Sequence, residues 1–150
     1  MCLILLAWQA HPDYPLVVAA NRDEFHARRT AAADFWQDAP AVLAGRDLEA
    51  GGTWLGVSRG GRFAALTNFR DPERNKPDAP SRGKLVSRFL AGTQSPQEYL
   101  DQIETSAATY NGFNLLFGDR HSLWCFSNCG EGKRQLDPGI YGLSNHLLDT

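Results

Sequence analysis

Cys2 is the residue with the greatest chemical potential in the chain. It follows Met1 directly, and cysteine is small enough for initiator methionine removal. Removal would leave a thiol and a free α-amine on one residue. An α-amine titrates at roughly 7.7–8.0, which suits a general base near neutrality, and a thiol is the side chain that needs least help to act as a nucleophile. The plainer reading of Cys2 is a small buried residue opening a strand. A second cluster, Asn21-Arg22-Asp23-Glu24, closes the next apolar segment. An arginine beside a thiol favours thiolate, and an aspartate beside an α-amine can orient it. The alternative there is a solvated strand end carrying an ordinary surface ion pair. Asn68 and Asn145 end the runs Leu66-Thr-Asn68 and Leu143-Ser-Asn145. An amide at such a place can meet a developing oxyanion or simply make a turn.

The elements that must position these groups are read from apolar runs and turn signals. Cys2–Trp8 and Leu16–Ala20 read as two strands joined by a turn at Gln9–Pro15, an antiparallel hairpin that brings Asn21–Glu24 back beside Cys2. Neither run alternates, so both faces are expected to be covered. Residues Asn21–Gly52 read as a long irregular excursion. Trp54–Ser58 and Arg62–Asn68 flank Arg59-Gly-Gly61, a second hairpin. Asp71–Ser81, with Pro72, Pro77 and Pro80, reads as an exposed loop. Two helices follow. Leu85, Val86, Phe89 and Leu90 share one face of the first. Ser95-Pro96-Gln97-Glu98 opens the second with a capping box, and Tyr99, Leu100, Ile103 and Ala107 continue it. Phe113–Phe117 and Ser122–Phe126 make a third hairpin across Gly118-Asp119-Arg120, and Gly139–Asn145 reads as a last strand. Asn111-Gly112 marks a turn, or with Tyr110 and Asn114 lines a pocket. The order predicts an α+β fold with helices packed on antiparallel sheet.

The 150 residues suit a single domain spanning 1–150, and the absence of a terminating helix suggests the front part of a longer one. Hydrophobic residues make up 43% and charged residues 21%, which excludes a disordered, collagenous or coiled-coil chain. The run Leu3–Trp8 is far below the roughly 20 residues of a membrane span and lacks a basic leader. Fifteen Lys and Arg nearly balance 17 Asp and Glu, so no nucleic-acid footprint is expected. Three cysteines cannot form a disulfide scaffold, and with no leader the expected location is cytoplasmic. Cys125 and Cys129 lack a second Cys/His pair, and the four histidines are scattered, so no metal site is expected. The tryptophans read as core or pocket walls.

Met1-Cys2 opening a strand and Asn21-Arg22-Asp23-Glu24 closing the next together resemble the NRDE family, also called the Transport and Golgi organization protein 2 family. Gly51-Gly-Thr-Trp-Leu-Gly56, Leu66-Thr-Asn-Phe-Arg70, Ser81-Arg-Gly83 and Gly112-Phe-Asn-Leu115 extend the resemblance through essentially the whole chain. It implies an N-terminal-nucleophile (Ntn) hydrolase-like αββα sandwich, antiparallel sheets between helical layers, incomplete in this chain. It is distantly similar to cysteine acylases that cleave bile-salt and penicillin amides. Carried over residue by residue, it implies Cys2, Arg22, Asp23, Asn68 and Asn145 as catalytic positions. Asn21, Trp54 and Asn111 are the candidate substrate contacts. The implied activity is hydrolysis of a non-peptide carbon–nitrogen bond without a cofactor. The alternative is a non-enzymatic carrier of haem or an acyl lipid in the same pocket, in keeping with the family's association with secretory organisation, mitochondrial lipid handling and haem movement. Glutamine amidotransferase domains also begin Met-Cys, but there glycine normally follows where this chain has Leu3. The sequence carries no signal for oligomeric state.

Overall fold

The computed structural model describes residues 1–130 and 132–149, the side chain of Arg74 excepted. Among them, ten strands form two antiparallel sheets. The smaller sheet has the order β10-β1-β2, with β1 at Leu3–Trp8, β2 at Leu16–Asn21 and β10 at Gly139–Leu143. The larger runs in chain order from β3 to β9: Thr30–Phe35, Val42–Asp47, Leu55–Ser58, Phe63–Asn68, Phe113–Gly118, Leu123–Ser127 and Gly132–Gln135. Helices α1 (Gly83–Ala91) and α2 (Pro96–Ser106) fall between β6 and β7.

Three layers result. The helices cover one face of the large sheet, where Leu85, Val86, Phe89 and Leu100 meet Val42, Ala64, Leu66 and Phe117. The small sheet covers the other face, setting Ile4, Leu6, Trp8 and Leu143 against Phe63, Ala65, Leu116 and Leu123. Strands β6 and β7 lie between both layers, which explains their unbroken apolar runs: successive side chains enter opposite cores. The capping box forms as expected. Glu98 N–H donates to Ser95 Oγ at 3.2 Å, and Ser95 N–H donates to Glu98 Oε2 at 2.7 Å. Tyr99 Oη ties the helices together by donating to the Leu85 carbonyl at 2.6 Å.

Two expectations are corrected. Strands β1 and β2 are not covered on both faces: Leu5 is 49% exposed and Val17 47%. They belong to the outermost layer, so only one face meets the core. The Asn21–Gly52 excursion is not irregular throughout, because it contains β3 and β4. Strand β3 is an exposed edge strand with a register shift between Ala31 and Asp34. It is held by ladder hydrogen bonds to β4, not by an apolar face, so no apolar pattern marks it.

Candidate active site

The β1–β2 hairpin delivers the first part of the site. Its register pairs Leu3 with Asn21, so the chain leaving β2 passes Cys2. The Cys2 Sγ accepts from Asp23 N–H at 3.3 Å and lies 3.8 Å from the Asp23 carbonyl oxygen. Cys2 N–H donates to Asn145 Oδ1 at 2.8 Å, and Asn145 Nδ2 donates to the Asn68 carbonyl at 2.8 Å. One amide thus joins β1, the segment after β10 and the end of β6. The hydrogen bonds on both sides fix its orientation. The Asp23 carboxylate takes the Met1 amine, which, with Arg70 nearby, holds it below the usual carboxylate range.

Cys2 opens into a cleft of about 730 Å³. The β2–β3 connection supplies Arg22, Asp23, Glu24, Phe25, His26 and Arg28 to its wall. Strand β4 supplies Arg46 and Asp47, and the segment entering α1 supplies Ser81 and Arg82. Asn68 also lines it, and among the described residues no protein hydrogen bond reaches its side-chain amide. Trp54 and Asn111 are on the wall. The Asn111 amide is clasped to Lys76, accepting from its N–H at 2.7 Å and donating to its carbonyl at 3.0 Å. An apolar groove of about 440 Å³, walled by Leu43, Leu55 and Val57, adjoins the cleft and shares Gly45 and Trp54 with it.

The sequence-derived catalytic set is therefore brought together around Cys2, with particulars the sequence did not carry. Arg22 lines the cleft but spends its guanidinium on Glu24, at 3.0 Å. Asn21 is not on the cleft wall; its Nδ2 donates to the Met1 carbonyl at 3.0 Å and fastens the N-terminus. Sequence reasoning missed Arg28, Arg46, Asp47 and Arg82. The Ser81-Arg-Gly83 motif was the available signal for the last of these. Among the described residues, no group of three or more His, Cys, Asp or Glu side chains is placed to hold a metal ion.

The other cysteine of the core differs. Cys125 faces the small sheet, and burial pushes its thiol up to about 12, so it stays protonated at neutral pH.

These features define a layered α+β protein whose second residue, a cysteine, stands in a polar cleft at a sheet end. The chain belongs to the Transport and Golgi organisation 2 family, whose model matches residues 1–150. It is 44% identical over 163 residues to the Transport and Golgi organization 2 homolog of Mus musculus and 40% identical over 163 residues to that of Homo sapiens. All of this chain aligns in both cases, and it spans 59% of each relative's length. The Drosophila melanogaster protein is 33% identical over 130 residues, covering 77% of this chain and 45% of its own length. Among solved structures, penicillin V acylase from Agrobacterium tumefaciens aligns with 96% of this chain and 44% of its own, with a TM-score of 0.45 and 10% identity, too low to carry a fold or an activity across.

Proposed function

We propose that the protein is a cysteine hydrolase of the N-terminal-nucleophile type, acting on the carbon–nitrogen bond of a non-peptide amide. The observation that carries this reading is Cys2 itself: sulfur and main-chain nitrogen are both held by the residues that end the neighbouring strands, at the floor of a cleft. Once Met1 is removed, the nitrogen bound to Asn145 Oδ1 becomes the α-amine, with the Asp23 carboxylate as a nearby acceptor. The amine takes the thiol proton. Thiolate attacks the amide carbon, and Asn68 Nδ2 donates to the developing oxyanion. The C–N bond breaks as the amine nitrogen leaves with that proton, and a thioester remains. Water then cleaves the thioester, giving the acid and restoring the thiol. An oxyanion donor of this kind lowers the barrier by about 3–4 kcal/mol.

The adjoining apolar groove favours one other reading, a non-enzymatic carrier of an acyl lipid, or of haem with His26 as an axial ligand. A β-lactone acyl probe separates the two. On the full-length protein, a hydrolase gives one adduct that maps to Cys2 and is lost in Cys2→Ser. An adduct at Cys125 or Cys129 with none at Cys2 defeats the hydrolase. For the haem carrier, a titration must shift the Soret band, and the shift must disappear in His26→Ala.

A further inference from the structure

Four arginines line the cleft, and three of them are neutralised. Arg22 meets Glu24 at 3.0 Å, Arg28 meets Asp47 at 2.5 Å, and Arg46 meets Asp38 at 2.6 Å. Arg82 is the fourth. Among the described residues it has no carboxylate at ion-pair distance, and its one direct protein acceptor is the Gly112 carbonyl, 2.8 Å from Nη1. A guanidinium carries five N–H donors, so most of its fork is left to solvent or to a ligand. Glu24, the carboxylate whose charge reaches it, is already bonded to Arg22. Burial lowers the Arg82 pKa and outweighs the opposing pull of the Glu24 charge, so this cation sits in a partly desolvated place.

The position of Arg82 is also fixed. It directly precedes α1, and Gly83 packs against the Gly52-Thr53 backbone, with Thr53 N–H donating to the Gly83 carbonyl at 3.2 Å. A guanidinium anchored through one nitrogen to the Gly112 carbonyl, with unused donors on a cleft wall, suits a planar oxyanion that it can hold with two parallel hydrogen bonds. One unpaired positive charge matches a monoanion. A phosphate dianion would add a surplus negative charge among Asp23, Glu24 and Asp47.

We propose that Arg82 seats a carboxylate of the substrate, so that the amides cleaved at Cys2 are acidic ones of the N-acyl amino acid type. This inference rests on the hydrolase reading above. The test compares alkylation of Cys2 by iodoacetate and by its neutral counterpart iodoacetamide, on the full-length protein, with the adduct mapped by mass spectrometry. The rate ratio of iodoacetate to iodoacetamide is expected to fall about threefold to tenfold in Arg82→Gln and to recover in part in Arg82→Lys. An unchanged ratio in Arg82→Gln overturns the carboxylate seat while leaving the nucleophile intact. Failure of both reagents to modify Cys2 overturns the hydrolase reading itself. A measurement on the unmodified sequence covers the case of a variant that misfolds. N-acetylglycine is expected to protect Cys2 from iodoacetamide at a lower concentration than N-acetylglycinamide, and equal protection by the two contradicts the seat.

Discussion

Asn145 carries the heaviest load among single residues of the site. Its carbonyl oxygen fixes the Cys2 nitrogen and its amide nitrogen fixes the end of β6, each at 2.8 Å. Asn145→Ala leaves a part-buried N–H and a carbonyl without these partners, at a cost of about 1–3 kcal/mol in stability. It should slow Cys2 acylation by more than that loss of stability explains, because the nitrogen loses its orientation. Acylation at the wild-type rate in folded Asn145→Ala protein would show that the contact serves folding alone. At this scale the sequence was informative about who is present and poor about who bonds to whom. Cys2 and Asp23 are legible as partners because a hairpin must bring them together. The Asn145 contacts span 143 and 77 positions of chain, and no local pattern reports them. Arg22 reads as a thiolate-stabilising cation, yet Glu24, two residues on, claims its guanidinium.

Among the elements, two devices set the cleft walls. The first is a contact between backbones: a Cβ on Gly52 would lie 2.5 Å from the Gly83 carbonyl carbon and 2.7 Å from its oxygen. Gly52→Ala must therefore push the start of α1, and Arg82 with it, away from the cleft. The expected result is a destabilisation of about 1–3 kcal/mol in chemical denaturation. The second is Asp47 at the end of β4. Burial alone would raise its pKa, but Arg28 and the N–H groups of Glu49 and Ala50 overcome this and hold it below the ordinary carboxylate value. A depressed pKa means that the unfolded chain binds the proton more readily. The stabilisation is complete above the unfolded carboxylate value, near 4, and is lost as pH falls through the lower folded value. Thermal melts of the wild type should therefore fall in temperature on acidification below about pH 4, and Asp47→Asn should flatten that fall. A slope unchanged by the substitution would assign the acid sensitivity to other carboxylates. Helices were legible because one buried face imposes a period on their sequence, and the central strands because two covered faces demand an unbroken apolar run. Strand β9, Gly132–Gln135, is mostly exposed and strand β3 wholly so. Only pairing with β8 and β4 makes them strands, and pairing leaves no mark on residue type.

Across the whole molecule, the layers are unequal. The large sheet is sandwiched, while the outer face of the small sheet presents Leu5, Val17 and Ile140, the last 78% exposed. The register puts these three with Ala7 and Ala19 on one face, a contiguous apolar patch of the kind that associates. The 150-residue chain should accordingly self-associate, and Leu5→Lys with Ile140→Lys should shift it toward monomer in sedimentation velocity; an unchanged distribution would locate the contact elsewhere. No helix among the described residues is long and apolar enough to cross a membrane. The proposed hydrolysis turns on the first two residues of this molecule, since it needs the α-amine on Cys2. Met1 now holds that amine, 70% exposed, with Asp23 bound to it. The most direct measurement is the intact mass of the full-length protein from its native source, before and after reaction with the β-lactone probe. The expected polypeptide has lost Met1 and gains one acyl group, on Cys2. A native chain that keeps Met1 and takes up no acyl group would overturn the hydrolase reading.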